Sequence, residues 1–464
     1  MSRIIIHFCF FLVTTTVGCQ ALSTQMVLPA SHELFSVAPM MGHTNRHYHY
    51  FFRLLSQKAH LYTEMIPATQ IVSLANDDNS QKRLDDLLRT HTPLTLQLGG
   101  NDAKALGQAC RIVSQFYVYT GVNLNCGCPS NAVSGRCGGA ALMEFPEKVA
   151  TIVDVMKQNL SEEMELSVKH RLGIANFATY DRQKDIQTNS DDDVFQSCWQ
   201  FAKAITDSGA VTKLQVHARL ALLGDIPSDD NESSSSLWIP NSHDTPKKDN
   251  IKIDHKRQQY QAQKRARLAT IHNRSIPPLR PKVIYQLAEA LPHICFVTNG
   301  GVQCLKDVVS HKNIMGAMVG RAVINHPCSF ATADDLWGGA PRKTYPTRGQ
   351  VLEEYADYCA REEERVFQWI TKPSMQETLK RRLVAVPFTL FWNEPGNNAY
   401  QRRIRKLIRR PQRHSSSQIL RAALAEVPRD IQDKVVSEYF SESANDDNYS
   451  QYNLRSGPLQ RSIL

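Results

Sequence analysis

No run of about 18 consecutive apolar residues follows the N-terminal region, so the body of the chain is not predicted to cross a membrane. Cysteine is also sparse, with 11 residues in a chain of 464, at irregular spacing and in odd number. This excludes a disulfide scaffold and favours a reducing compartment for the folded part. Gly and Pro number 22 each and charged residues make up 21%, which excludes collagen-like, coiled-coil and wholly disordered chains.

Acidic residues are absent from the N-terminus before Glu33. In that region Arg3 precedes an apolar run over residues 4–17, and small and polar residues follow up to Thr24. The pattern predicts a removable targeting leader over residues 1–24, and a buried N-terminal strand is the alternative. The run is too short and too interrupted by threonines to span a bilayer, and no later stretch is long and apolar enough, so we expect no stable membrane association of the mature protein.

Short β-branched and apolar runs recur along the chain, and a helical pattern follows each of them. Eight runs are predicted as strands, over residues 34–38, 61–63, 94–98, 122–125, 166–169, 213–217, 294–298 and 317–319. Amphipathic stretches between them, over residues 102–116, 145–160, 193–208 and 281–291, are predicted as helices. Repeated strand and helix units indicate a parallel sheet. Eight such units in about 300 residues predict an α/β fold, a closed (β/α)8 TIM barrel over residues 33–338.

Two regions interrupt this rhythm. Residues 228–272, with an acidic and serine-rich start and a basic second half, are predicted as a loop inserted after strand six. A joint rich in Gly and Pro at residues 338–347 ends the strand pattern. Helical patterns over residues 350–367, 377–391, 398–408 and 417–439 then predict an all-α domain over residues 348–440, followed by a disordered tail at residues 441–464.

Polar residues stand at the predicted carboxyl ends of the strands, where the active sites of this fold lie. Gln97, Lys169 and His217 end strands three, five and six, and Cys128 follows strand four. Lys169 is costly to bury without an anionic or hydrogen-bonding ligand, so a Schiff-base lysine and a donor to an electron-rich cofactor ring are both open. His217 alone could equally be a structural histidine. Together these residues indicate a cofactor enzyme.

Glycines follow the last two predicted strands. Asn299, Gly300 and Gly301 follow strand seven, and Gly320 and Arg321 follow strand eight. Backbone N–H groups made accessible by glycine, together with an arginine fork, suit a phosphate at this place in a barrel. We therefore expect a phosphate-bearing ligand, with a plain turn as the alternative.

Three cysteines that lie close together in sequence, Cys126, Cys128 and Cys137, raise the alternative of a zinc site. The CxC spacing, the immediately following Pro129 and the lack of a His-x-x-His partner argue against zinc, so we expect no metal. A single reactive cysteine on a loop, acting as nucleophile or proton donor, is favoured instead.

The net charge of +9 is concentrated in a few segments. Residues 402–413 hold seven cations with no acidic residue between them, and Lys380, Arg381 and Arg382 belong to the same predicted domain. Residues 252–267 form a second basic segment. A segment of this kind is either a solvated helix face or a surface for a polyanion, and the mutual repulsion of its charges favours the polyanion.

These residues occur in motifs that resemble the tRNA-dihydrouridine synthases, and specifically their A-type branch. In order, the motifs are FSVAPMMGHTNRHYHYFFRLLS, LYTEM, PLTLQLGG, NLNCGCPS, LSVKHRLGI, QVHAR, NRSIPPL, TNGGV and MVGRA. The resemblance covers residues 34–338 and extends more weakly to about residue 410. It implies a TIM barrel with a helical domain, and an enzyme that uses FMN, reduced by NADPH, to saturate the C5–C6 bond of uridine in the tRNA D-loop, at positions 20 and 20a.

The resemblance also implies roles for single residues. Cys128 would be the acid that protonates C5, with Cys126 a spectator. The FMN contacts would be Pro39, Met40, Met41, Gln97, Lys169, His217, Asn299, Gly300, Gly301, Gly320 and Arg321. The tRNA contacts would be Asn125, Arg274, and Arg402 or its neighbour Arg403. Ile271 stands where the branch has a lysine, so the RNA contacts match less closely than the reaction does.

Two other functions fit parts of the pattern. A small-molecule FMN dehydrogenase on the same barrel, similar to dihydroorotate dehydrogenase, would share the cofactor residues, but the basic surface argues against it. An RNA-binding barrel without chemistry would not need Cys128, Lys169 and His217. We expect a monomeric enzyme with tRNA as its partner. Because a secreted protein would meet no tRNA, we expect the leader to direct it to a plastid or mitochondrion, with the cytoplasm as the alternative.

Overall fold

The computed structural model describes residues 33–130, 138–188, 190–224, 272–273, 276–308, 314–338, 342 and 344–440. The predicted leader, the predicted tail and residues 228–271 of the predicted insertion lie outside these residues. Cys137, Ile271 and Arg274 lie outside them as well.

Strands in the described residues occur where the apolar runs predict them. They are β1 (Phe35–Val37), β2 (His60–Leu61), β3 (Ile66–Pro67), β4 (Thr95–Gly99), β5 (Gly121–Cys126), β6 (Glu165–Arg171), β7 (Ile174–Asn176), β8 (Lys213–His217), β9 (Ala221–Leu223), β10 (Cys295–Asn299) and β11 (Ile314–Val319). Each of the eight predicted runs overlaps one of these strands. The remaining three, β3, β7 and β9, are two or three residues long, too short to give a periodic signal.

The main sheet closes on itself. Its strands are parallel and lie in the order β2-β1-β11-β10-β8-β6-β5-β4-β3. Tyr62, directly after β2, forms a bridge with Thr95 of β4, and the Thr63 N–H donates to the Thr95 carbonyl at 3.0 Å. Eight strands, β1, β2, β4, β5, β6, β8, β10 and β11, therefore form a ring, which confirms the predicted TIM barrel. Their carboxyl ends open at one mouth.

Helices cover the outside of the ring. They are α1 (Arg46–Leu55), α2 (Ala68–Ala75), α3 (Gln81–Leu88), α4 (Ala103–Phe116), α5 (Pro146–Gln158), α6 (Arg182–Thr188), α7 (Asp191–Thr206), α8 (Pro281–Ala290) and α9 (Arg321–Asn325). Local sequence sets their starts: Asp102 accepts the Lys104 N–H at the start of α4, and Ser190 and Asp193 form a capping box on α7. A proline opens both α5 and α8. The four helices predicted between strands are confirmed to within two residues.

A small second sheet lies beside the ring, where β7 pairs with β9. Asn273 joins it from the far side of the insertion: its Oδ1 accepts the Leu222 N–H at 2.7 Å, and its Nδ2 donates to the Leu222 carbonyl at 2.9 Å. The chain therefore enters and leaves residues 225–271 at neighbouring points. The predicted insertion follows this extra strand rather than the ring strand itself.

Helices, with one isolated antiparallel bridge between Thr347 and Val435, follow the barrel in the described residues after 338. They are α10 (Arg348–Phe367), α11 (Pro373–Ala385), α12 (Asn397–Leu407), α13 (Ser416–Leu424) and α14 (Arg429–Asp433), with short 3-10 turns at Val386–Thr389 and Val436–Phe440. Two predicted helices are wrong in extent. The helix predicted over 377–391 ends at Ala385, before Pro387, and the one predicted over 417–439 is broken before Pro428, because proline lacks the N–H that continues a helix.

A partly buried ion cluster joins the barrel to the helical region. Arg46 of α1 lies 3.0 Å from the Asp86 carboxylate and 3.2 Å from Glu362 of α10. Arg365, one turn further along α10, lies 2.6 Å from Asp86 and 2.9 Å from Glu362. Burial would raise the pKa of Glu362, but hydrogen bonds and charge from Arg365 and Arg46 hold it below the ordinary value. The cluster therefore stabilises the interface above that pKa and loses its effect as the pH falls through it.

Glu362→Gln is expected to lower the free energy of unfolding by about 3 kcal/mol, because two arginines would keep only one carboxylate in a largely buried place. Denaturant unfolding at pH 7 measures this. Glu354→Gln on the same helix is the matched control, since Glu354 and Arg361 form an exposed pair at 3.7 Å and should contribute less than about 1 kcal/mol. Equal losses in the two variants would contradict the stabilising role of the cluster.

Candidate active site at the barrel mouth

The loop after β5 separates two cysteines by environment. Cys126 is the last residue of β5, is fully buried in the apolar core, and burial raises its pKa far above the ordinary value. Cys128 is partly exposed. Asn125 shapes the turn between them, since its Oδ1 accepts the N–H groups of Gly127 and Cys128, each at 3.0 Å. Of the two, only Cys128 is placed to react with a ligand at the mouth.

Lys169 lies near the carboxyl end of β6, next to Asn125 in the strand register. Its Nζ donates to Asn299 Oδ1 at 3.1 Å, and Asn299 Nδ2 donates in turn to the Met318 carbonyl at 2.8 Å. Burial, and then Arg171, lower the pKa of Lys169 to about 7, while the Cys128 thiol acts in the opposite direction. A small change in its surroundings can therefore switch the charge of Lys169 near neutral pH.

His217 ends β8 and is packed against the glycine pair that follows β10. Gly300 has φ +107, and a Cβ there would lie 2.8 Å from His217 Cδ2 and 3.1 Å from Nε2. Gly301, with φ +85, also needs glycine. Burial, followed by Arg171 and Lys169, lowers the pKa of His217 well below its ordinary value. The imidazole is therefore neutral at pH 7 and offers one donor and one acceptor.

The turn after β1 forms another side of the mouth. Thr44 Oγ1 accepts the Met40 N–H at 2.8 Å, and the Met40 sulfur lies 3.4 Å from where a Cβ of Gly320 would stand. Pro39 and Met40 are half-buried, and Met41 is 57% exposed. Arg321, exposed at the start of α9, follows Gly320. This brings the residues predicted after strands one and eight together.

Gln97 is placed differently from the other predicted cofactor residues. It is buried, with 1% of its surface exposed. Its Oε1 accepts from Asn125 at 3.1 Å and its Nε2 donates to Asn123 at 2.8 Å. Gln97 therefore lies in the interior of the barrel beneath Asn125, and Asn125 itself, 8% exposed, makes these hydrogen bonds within the chain. Their contacts with a cofactor and with tRNA stay predictions.

Two residues at the mouth were given no role by the sequence. Arg171 is 5% exposed, and its guanidinium donates to the carbonyls of Gly127 at 3.0 Å and Leu220 at 2.9 Å, so it joins the loops after β5 and β8. Arg171 lies two residues after Lys169, on the same face of the strand, and this spacing was the feature of the sequence that could have indicated a place at the mouth. Glu64, after β2, accepts the Gly42 N–H of the Met40 turn, and burial raises its pKa.

The predicted RNA-binding arginines do not share one environment. Arg402 is exposed, whereas Arg403 lies 3.8 Å from Glu426. Arg405, one of the seven cations of that segment, lies over the Phe388 ring at 4.9 Å from its centre. Lys380 donates to the carbonyls of Pro411 and His414, at 2.8 and 2.9 Å. The exposed cations of α12 and the turn after it are therefore Arg402, Lys406, Arg409, Arg410 and Arg413.

The helical region reaches the mouth through α11. Gly42, His43, Arg382 and Ala385 line a small cavity between this helix and the Met40 turn. Arg382 is exposed, and its charge lowers the pKa of Glu64, against the larger effect of burial. A charged group of the helical region thus lies beside the candidate site.

Within the described ranges, no three His, Cys, Asp or Glu side chains come together to hold a metal ion. The burial of Cys126 in the apolar core argues further against the zinc alternative. None of the described helices is long and apolar enough to cross a bilayer.

A closed parallel barrel with a partly exposed cysteine, a lysine of lowered pKa, and glycines and arginines at its mouth is the arrangement expected of a cofactor-dependent barrel oxidoreductase. The family model described as dihydrouridine synthase matches residues 36–238 and 250–381, and the chain belongs to that family. Enzymes of the family are flavin-dependent oxidoreductases.

The chain is also similar, along most of its length, to proteins named tRNA-dihydrouridine(20/20a) synthase. The Synechocystis sp. protein is 31% identical, over 72% of this chain and 80% of its own. The Vibrio parahaemolyticus protein is 28% identical, over 85% and 97%. The Escherichia coli K12 protein is 30% identical, over 71% and 76%.

Proposed function

We propose that the protein reduces uridine at positions 20 and 20a in the D-loop of tRNA to 5,6-dihydrouridine, with FMN as its bound cofactor and NADPH as the reductant. The observation that carries the proposal is the position of Cys128, on a loop held by Asn125, beside Lys169 on the neighbouring strand β6. The relatives named for this reaction support the substrate and the positions.

The charges of the mouth suit a phosphate-bearing cofactor. Burial lowers the pKa of His217, and Arg171, Lys169, Arg219 and Arg321 lower it further, so three arginines and one lysine that titrates near neutral pH act on this ring. An anion bound among these basic side chains would offset their mutual repulsion with attraction between opposite charges. Gly300, Gly301 and Gly320 leave room for a ligand to approach the backbone there. Lys169, His217, Asn299 and Arg321 would hold FMN.

Saturation of the C5–C6 bond adds a hydride at C6 and a proton at C5. A bound, reduced flavin supplies the hydride. The Cys128 thiol supplies the proton and is left as a thiolate, which takes up a proton from solvent. Lys169 in its protonated form would stabilise the thiolate, because the charge of Cys128 raises the pKa of Lys169 and opposite charges attract. Arg171 and Asn125 hold the loop that carries Cys128.

Gly300→Ala is expected to lower the FMN content of the purified protein by about tenfold or more, since the added methyl group displaces the His217 ring. Flavin absorbance relative to protein measures this. Gly209→Ala is the matched control: Gly209 has a similar positive φ of +77 but nothing within 4 Å of the added Cβ. If both variants kept their flavin, the packing of His217 on Gly300 would not matter for binding.

The experiment that tests the function has two parts. The purified protein should be yellow, with an FMN spectrum that NADPH bleaches. Expression in a host that lacks its own enzyme for positions 20 and 20a should restore dihydrouridine there, as mapped on isolated tRNA. A colourless protein that FMN cannot reconstitute would contradict the flavin assignment. A yellow protein that leaves tRNA unchanged would favour the small-molecule dehydrogenase.

Localisation to a plastid or mitochondrion, and a monomeric state, remain parts of the proposal. The localisation rests on the pattern of residues 1–24 and on the need to meet tRNA, and the monomeric state stays a prediction. A fluorescent fusion of residues 1–40 tests the destination.

A further inference from the structure

The end of the barrel opposite the mouth contains a buried ion cluster. Lys213, the first residue of β8, lies 3.3 Å from the Glu33 carboxylate and 2.6 Å from that of Glu165. The side chains of Lys213 and Glu33 are fully buried. Burial would raise the pKa of Glu33, but Lys213 and His60 lower it below the ordinary value, whereas burial dominates for Glu165 and raises its pKa. Glu33 is therefore ionised at neutral pH and can only accept hydrogen bonds.

A ladder of hydrogen bonds begins at Glu33 and runs up the inside of the barrel. The Tyr62 hydroxyl donates to Glu33 Oε2 at 2.9 Å. Gln215 Nε2 donates to the Tyr62 oxygen at 2.8 Å, and Asn123 Nδ2 donates to Gln215 Oε1 at 2.8 Å. None of these four residues is more than 1% exposed, so water cannot replace a missing partner.

The same ladder continues to the mouth. Gln97 Nε2 donates to Asn123 Oδ1 at 2.8 Å, and Asn125 Nδ2 donates to Gln97 Oε1 at 3.1 Å. Asn125 Oδ1 then accepts the backbone N–H groups of Gly127 and Cys128. Every link from the Cys128 loop to Glu33 therefore donates in the same direction.

The two ends allow only that direction. A backbone N–H can only donate and an ionised carboxylate can only accept, while the amides and the hydroxyl between them can be turned either way. If every hydrogen bond of the ladder were reversed, the Tyr62 oxygen would face the Glu33 carboxylate, which has no proton to donate. At the other end, the Asn125 NH2 group would face the N–H groups of Gly127 and Cys128, and neither side could accept. Buried polar groups left without partners are costly, so the ends reinforce each other.

We propose that Glu33 is a positioning residue for the Cys128 loop, which it orients through Tyr62, Gln215, Asn123, Gln97 and Asn125. The catalytic meaning of this role rests on the proposed function, because it matters only if Cys128 donates the proton. The orientation itself is a property of the barrel without substrate.

A double-mutant cycle tests the direction. Asn125→Asp still accepts the N–H groups of the Cys128 loop, but its carboxylate cannot donate to Gln97. Gln97 must then donate to the carboxylate, every further hydrogen bond of the ladder must reverse, and the Tyr62 oxygen is left facing the ionised Glu33, which cannot donate to it. Glu33→Gln removes the conflict, because an amide can donate to Tyr62. In denaturant unfolding, the double variant is expected to be more stable than the two single effects predict, by about tenfold or more in the unfolding equilibrium constant.

Two controls separate this coupling from repulsion between charges. Glu165→Gln removes the same charge beside the same lysine, but no hydrogen bond of Glu165 belongs to the ladder. In its cycle with Asn125→Asp, the effects of the two substitutions on the free energy of unfolding should be additive, to within about twofold in the unfolding equilibrium constant. In a Tyr62→Phe background the ladder is cut, and the coupling between Glu33→Gln and Asn125→Asp should disappear. Equal coupling in the Glu165 cycle, or coupling that survives Tyr62→Phe, would overturn the proposal.

Amide hydrogen exchange gives a second measurement that does not depend on how well Asn125→Asp folds. Tyr62→Phe is expected to speed exchange at Gly127 and Cys128 by about two- to fivefold, because Gln215 loses its acceptor and the ladder can turn. Glu165→Gln should leave exchange there unchanged. An unchanged loop in Tyr62→Phe would refute the positioning role. Both measurements use the purified protein without substrate, so a failure of the proposed function would be seen separately, as missing dihydrouridine.

Discussion

Cys128→Ala is expected to lower the rate of tRNA reduction by about 10²- to 10⁴-fold, the usual loss when a positioned general acid is removed. Reduction of the bound flavin by NADPH should keep its wild-type rate, since that half of the reaction needs no proton at C5 of uridine. Stopped-flow absorbance at the flavin band measures the two halves separately. FMN content should also be unchanged, because Cys128 is not among the residues that would hold the cofactor.

Cys126→Ala is the matched control for that variant. Cys126 is fully buried, so its loss leaves a small cavity and lowers stability rather than the rate of the chemical step. If Cys126→Ala abolished tRNA reduction in a folded protein while Cys128→Ala did not, the roles of the two cysteines would have to be exchanged.

The second large effect is expected from the exposed face of α12. Replacing Arg402, Lys406, Arg409 and Arg410 together by glutamine should weaken tRNA binding by about tenfold or more at physiological salt. The slope of log affinity against log salt should also fall by about one for each phosphate that is no longer neutralised. Binding titrations at several salt concentrations give both quantities. FMN content should not change, because these side chains are not among those that form the mouth.

A variant with Arg403→Gln and Arg405→Gln is the control for the exposed face. These two side chains are engaged within the protein, by Glu426 and by the Phe388 ring, so their loss should affect stability more than the salt slope. If the variant with all four exposed cations replaced bound tRNA as tightly as the wild type, those cations would only form a solvated helix face.

The barrel and the strand-end residues could be predicted because both leave a local trace in the sequence. Each ring strand overlaps a short, mainly apolar run, most of these runs have a polar residue at or near the carboxyl end, and the carboxyl ends of parallel strands meet at one mouth. Lys169, His217 and Cys128 were found in this way. Strands β7 and β9 were not predicted, because a strand of three residues is too short to show a periodic pattern of apolar residues.

Partners distant in sequence could not be predicted. The pattern of residues 402–413 does not show that Glu426 lies beside Arg403 or that Arg405 covers Phe388. The interior ladder was missed for a related reason. Asn123 and Gln215 look like ordinary polar residues of strands that alternate inward and outward, and only closure of the ring brings them within hydrogen-bond distance.

The bond between Asn273 and Leu222 has a consequence for how the chain tolerates additions. It fastens together the two places where residues 225–271 leave and rejoin the barrel, and the family match is itself interrupted within that stretch, between residues 238 and 250. With the ends fixed, doubling the length of such a segment adds only about 0.6 kcal/mol of closure entropy. Asn273 thus fixes the two ends of residues 225–271 relative to each other, and we expect this segment to tolerate shortening, extension or exchange. Arg171, which donates to the Asn273 carbonyl, would keep the geometry of the mouth in such variants.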